Sequence, residues 1–236
     1  MLDINQTSLH NTSTEDLFAM FYFIIAIALL DKLFFLTLFG VKDLTTRWFM
    51  IHICGNAMIV YFAYGDVIRT LTDSSHAFGS VYDLKPSYFA ILIHLYHLLF
   101  FTNLSRDDLF HHGVFVTGLG FVCLMFYWGT IMNMVVFFIC GLPGCIGYSL
   151  LVGVKFRIID RMTEKYLSVW LNLLMRSPGL LFCLFVYIIN IEKVHLHPLV
   201  CVFTGFLMIF NAQYYVYSVI ASYVRHQSRR VLKDSE

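Results

Sequence analysis

The sequence predicts an all-α, multi-pass transmembrane bundle of about seven spans, and three observations predict it. Hydrophobic residues make up 59% of the 236 residues and charged residues only 13%, where a soluble domain carries roughly 25% charged. Apolar runs recur along the whole length, each able to supply the ~20 helical residues that cross a ~30 Å hydrocarbon layer. Nothing is left over for a separate soluble domain. A polar arm at residues 1–16, a helical domain at 17–224 and a basic tail at 225–236 account for the chain.

A net charge of +1, with no basic, aromatic-interleaved surface outside the lipid, excludes nucleic-acid binding. All six cysteines (Cys54, Cys123, Cys140, Cys145, Cys183, Cys201) fall inside apolar runs, where free cysteine behaves as a small hydrophobe. They form neither a disulfide framework nor a CxxC metal signature. The first apolar run is too long for the core of a signal peptide, so it is expected to stay as a span.

In chain order, the arm holds two glycosylation sequons, Asn5-Gln6-Thr7 and Asn11-Thr12-Ser13, usable only on the lumenal or extracellular side. Residues 17–39 form the first span, in which Asp31 and Lys32 pair with other spans or Lys32 snorkels, because adjacent helical residues do not face each other. Trp48 anchors a second span, 48–68, whose His52 and Asn56 lie one turn apart on one face. Rather than at lipid, that face should look into the bundle, where interhelical hydrogen bonding, or substrate binding by His52, would employ it. After the polar loop 69–85, Pro86 sits at a natural helix start, and the third span, 87–103, carries His94 and His97. The link 104–108 is so short that the fourth span must be the antiparallel neighbour of the third.

Residues 113–153 are too long for one span. Trp128-Gly129-Thr130 is the expected turn, and Gly141-Leu142-Pro143-Gly144 a second break or kink. A basic link at 155–165 precedes a span at 167–189, interrupted at Arg176-Ser177-Pro178-Gly179. Arg176 is a candidate ligand for a phosphate or carboxylate, with snorkelling as the alternative. The last span, 197–223, offers Asn211, Gln213 and Tyr214 to a cavity. An N-terminus outside the cytoplasm gives seven spans an excess of Lys and Arg inside. Merging spans four and five gives six, and the basic tail is cytoplasmic either way.

The polar residues concentrate where spans three and four meet. His94 and His97 share a helical face. Asp107 precedes His111 by four residues, and Asp108 precedes His111 by three and His112 by four, so each carboxylate is within reach of an imidazole one turn on. A carboxylate beside a histidine fixes its tautomer and stabilises the imidazolium, as general-base or nucleophilic chemistry requires. Acidic residues at a helix start also cap it. Both roles are open for the aspartates. Ionisable groups at membrane depth are costly, which marks His111 and His112 as candidate functional residues.

An arginine-tryptophan entry into a span with an internal histidine (Arg47, Trp48, His52), then Pro86-Ser87-Tyr88-Phe89 opening a span, then Asp-Asp-Leu-Phe-His-His at 107–112, resembles the TLC family. That family includes ceramide synthases, the translocating-chain-associated membrane protein and regulators of membrane lipid composition. The resemblance covers roughly residues 42–225 and implies a helical barrel open to lipid in the endoplasmic reticulum or a related membrane. It also implies transfer of a fatty acyl group from coenzyme A to an amine by His111 and His112 with Asp107 and Asp108. The sequence departs from the family at His94 and His97, where an aspartate is usual, and at the LPGCIGYSLL segment, which replaces an acidic stretch.

Three functions compete. One is a membrane enzyme that modifies a lipid, possessing no bound cofactor but taking acyl-CoA as co-substrate, with His111 or His112 as base or nucleophile, Asp108 orienting it, His94 and His97 shaping the pocket, and Arg176 steering an anionic group. A second is a lipid-binding protein that does no chemistry. The third is a metal enzyme with His94, His97, His111 and His112 as ligands. Membrane lipids are the expected partners in each, and the oligomeric state is open.

Overall fold

The computed structural model describes residues 13–78, 81–101, 104–193 and 196–234. The asparagines of both sequons lie outside the described residues. Seven helical stretches build the described chain: α1 (Thr14–Leu38), α2 (Leu44–Thr72), α3 (Lys85–Phe100), α4 (106–125), α5 (Thr130–Lys155), α6 (Arg161–Ile189) and α7 (Pro198–Asp234). No strand occurs among the described residues. Five of these helices, α1, α2, α5, α6 and α7, are long and apolar enough to cross a membrane. The other two are α3, whose 16 residues reach only about 24 Å at 1.5 Å per residue, and the histidine-bearing α4.

Side-chain pairs fix how the helices run. Phe23 and Asp31 of α1 meet Phe89 and Tyr96 of α3 in that order, so these two helices are parallel. Arg47, at the start of α2, meets Asp31 near the end of α1. At one end of the bundle Thr70 contacts Thr130 at 3.0 Å, Asn133 donates to Asp66 at 2.7 Å, and Lys193 donates to the Ser75 carbonyl. At the other end Lys155 reaches Asp43 at 3.1 Å. Asp43 also caps α2 through the Thr46 amide, and its bond with the Thr46 hydroxyl, ahead of Lys155, holds its carboxyl below the usual range. The chain therefore alternates direction, and its two termini lie at opposite ends.

Several boundaries differ from those the sequence suggests. Trp128-Gly129-Thr130 is a turn, with Gly129 at φ +103°, a conformation open to glycine but costly for other residues. Neither proline site breaks its helix. Pro143 and Pro178 each lack an N–H and would crowd the carbonyl four residues back, and both of those residues, Ile139 and Leu174, lie in wider π-helical turns, Phe137–Gly141 and Asn172–Arg176. The extra turn width accommodates the rings, so α5 and α6 run on. The last helix extends through Arg225, Arg229 and Arg230 to Asp234.

Asp31 is fully buried. Its Oδ2 accepts from the Tyr96 hydroxyl at 2.9 Å and its Oδ1 lies 2.8 Å from Arg47 Nε. Pairing with other helices is thus realised. Lys32, half-exposed, also reaches Asp31 at 3.1 Å, contrary to the expectation for adjacent helical residues, because both stand in the π-helical Leu30–Leu38, where side chains fan out differently. Around this pair pack Ile27, Ile51, Tyr88, Leu92 and Ile93. A larger cluster centred on Ile59, Ala63, Met134 and Cys183 joins α2, α5 and α6.

Candidate functional site

The histidines meet between α2, α3, α4 and α7. His94 Nε2 lies 3.0 Å from His111 Nε2, and His97 Nδ1 lies 3.3 Å from His112 Nε2. The short link between α3 and α4 turns the chain back so that two histidines on one helix face two on the next. His52 joins from α2, its ring centroid 5.5 Å from that of His94. His52, His94, His97 and His112 are buried, and His111 is half-buried.

Backbone carbonyls orient the rings. Nδ1 of His52, His94 and His112 sits 2.9, 2.6 and 2.6 Å from the carbonyls of Trp48, Ala90 and Asp108, each four residues back on the same helix. A carbonyl only accepts, so each Nδ1 carries the proton and each neutral ring turns a bare Nε2 inward. His111 must then donate from Nε2 to His94, which leaves its Nδ1 to accept from the Tyr215 hydroxyl 2.7 Å away. His97 donates from Nδ1 to His112, and Trp48 Nε1 donates to His52 Nε2 at 3.2 Å. The network closes with every ring neutral.

The aspartates divide between roles. The Asp108 carboxylate accepts from the Ser105 amide and hydroxyl at 2.9 and 2.7 Å while Ser105 accepts from the Asp108 amide, a reciprocal cap on α4. Orientation of His112 comes from the Asp108 carbonyl instead. Asp107 is exposed at the edge of the site and has no imidazole partner among the described residues.

These groups border a cavity of about 440 Å³ lined by His52, His94, His111 and His112, by Asp107 and Asp108, and by apolar residues such as Leu119, Val135 and Ile139. A volume in the range of single small-molecule sites suits one ligand. Asn211 and Tyr214 line it as the sequence suggests, whereas Gln213 is exposed. His97 is not in the wall. It stands behind His112, stacked on Trp48 with centroids 4.0 Å apart. His52 bonds within its own helix rather than across to another.

Arg176 turns inward instead of snorkelling, its guanidinium 4.5 Å from the Tyr215 ring centroid in the cavity wall. Sequence reasoning missed Tyr215 and Tyr148, whose ring lies 4.5 Å from His52. Tyr215 stands one helical turn after Asn211, and that spacing was the available signal. Three of the four π-helical stretches carry Asp31, the His111–His112 pair and Arg176, and such turns are frequent at functional sites.

The imidazole contacts are pairwise. Among the described residues no group of three or more His, Cys, Asp or Glu is placed to hold a metal ion. A search for similar proteins found no matching family model, curated protein or solved structure.

Proposed function

We propose that the chain is an integral membrane protein that modifies a lipid, with His111 as general base toward a hydroxyl or amine in the cavity. The observation that carries this reading is the directed chain Tyr215–His111–His94 at the wall of a largely apolar cavity. As the Tyr215 hydroxyl gives its proton to His111 Nδ1 and takes the ligand's proton in its place, His111 Nε2 passes its own proton to His94 Nε2. The charge then rests on His94, where the Ala90 carbonyl, 2.6 Å from Nδ1, stabilises it.

The resemblance to the TLC family adds the reaction class, transfer of an acyl group with acyl-CoA as donor. It also adds the membrane, endoplasmic reticulum or a related one. In this reading α3 and α4 complete seven spans, and the basic end of α7 faces the cytoplasm. His112, whose bonds run to His97 and to the Asp108 carbonyl rather than to a hydroxyl in the cavity wall, positions His97 and the start of α4 rather than taking the proton.

The two histidines therefore separate by experiment. His111→Ala is expected to reduce lipid product per folded molecule by roughly 10²–10⁴-fold, beyond the about 1–3 kcal/mol of stability that losing its two bonds costs. His112→Ala should lose about 1–3 kcal/mol of stability first. Lipid extracts of cells making each variant, analysed by mass spectrometry beside thermal unfolding in one detergent, give both readouts. Equal product from wild type and His111→Ala would sink the enzymatic reading.

A second reading, lipid binding without chemistry, is favoured by one observation: His52, His94, His111 and His112 find partners for both nitrogens within the protein. It predicts a lipid that co-purifies unchanged.

A further inference from the structure

Arg176 is a cation in an apolar wall without a counter-ion. Among the described residues no carboxylate lies within ion-pair distance of it, and its Nε is buried with no hydrogen-bond partner. Its guanidinium stacks over the ring of Tyr215, which is uncharged in its ordinary state. Glu164, the acidic residue of α6 that also borders the cavity, is already engaged by Lys165 at 3.2 Å and Ser168 at 3.0 Å. Arg176 as a whole is half-buried; a charge in such surroundings without a partner is costly, and here a partner has room to come from the cavity.

We propose that Arg176 binds the carboxylate of a single-chain fatty acid, or of a ligand with the same head and tail, held in this cavity. The planar guanidinium, through its Nη atoms, matches the two oxygens of a carboxylate. One negative charge neutralises one cation. The tail lies against Leu119, Val135 and Ile139, and the volume of about 440 Å³ suits one chain. The guanidinium stacks on the ring of Tyr215, whose hydroxyl contacts His111, so the head group sits beside the proposed base. The proposal rests on the lipid reading for the nature of the tail, and on Arg176 alone for the head.

Binding of palmitate, hexadecyl phosphate and hexadecanol to the purified full chain in a neutral detergent tests it. Palmitate is expected to bind about tenfold or more tighter than hexadecanol and tighter than hexadecyl phosphate. Arg176→Gln should bring palmitate down to the level of the alcohol, and Arg176→Lys should restore part of the difference. A stronger hexadecyl phosphate complex overturns the carboxylate in favour of a phosphate head. Hexadecanol binding as well as palmitate in the wild type overturns the proposal even if the variants fail to fold, as does an Arg176→Gln protein that keeps the preference. Failure here alongside loss of product in His111→Ala removes the carboxylate ligand and leaves the enzyme. An intact preference with no product removes the enzyme and leaves the ligand.

Discussion

At the residue scale, Asp31 shows what burying charge demands. Both its oxygens are engaged, by Arg47, Tyr96 and Lys32, so removing the carboxylate leaves the buried Arg47 uncompensated. Asp31→Asn is expected to cost about 3–5 kcal/mol, whereas Asp31→Leu combined with Arg47→Met should recover most of it, because a matched apolar pair avoids desolvating either ion. Thermal unfolding of the single and double variants decides the matter: a double variant no more stable than the single one means that the pair contributes nothing beyond packing. The histidines were legible in the sequence because ionisable groups stand out in apolar surroundings. The capping role of Asp108 was legible as one of two open roles, that of an acidic residue at a helix start. Tyr215 was harder to read, since its spacing from Asn211 is its only local mark among 14 tyrosines, and its importance comes from a contact 104 residues away in sequence.

At the scale of elements, close approach decides which helices neighbour which. A Cβ on Gly55 would overlap the Ile93 side chain, so α2 and α3 touch where glycine leaves space. Gly55→Ala is expected to lower stability by about 1–3 kcal/mol through overpacking, and Ile93→Ala in the same chain should restore part of that loss. Denaturation midpoints for both would check it, and a second substitution that makes matters worse would contradict the steric account. Element existence was legible from apolar runs, and the turn at Gly129 from its residue types. The prolines misled because local rules price a proline in a regular helix, and the chain met that cost with wider turns at Phe137–Gly141 and Asn172–Arg176.

At the scale of the molecule, the alternation of seven helical stretches sets the two ends of the chain apart, and composition alone marks five of them as able to cross a membrane. If the basic end of α7 faces the cytoplasm, as proposed above, the start of α1 faces the opposite side, and with it the sequons at Asn5 and Asn11. Expression in cells that glycosylate is therefore expected to yield a protein whose mass falls on glycosidase treatment, a shift abolished by combining Asn5→Gln with Asn11→Gln. Cleavage of the arm by protease added from the cytosol would refute this orientation. The sequence proposes a side for the basic tail but is silent on the depth of α3 and α4, because the histidines of these two helices bond to each other.

The Asp31–Arg47 pair also bears on how such a chain is made. The ribosome delivers α1 first, with a carboxylate that the lipid will not tolerate alone. Lys32 of the same helix already reaches Oδ2 and Arg47, at the very start of the next helix, pairs Oδ1, so the two helices can leave the translocation channel as a hairpin with its carboxylate paired, and Tyr96 adds its hydroxyl to Oδ2 when α3 arrives.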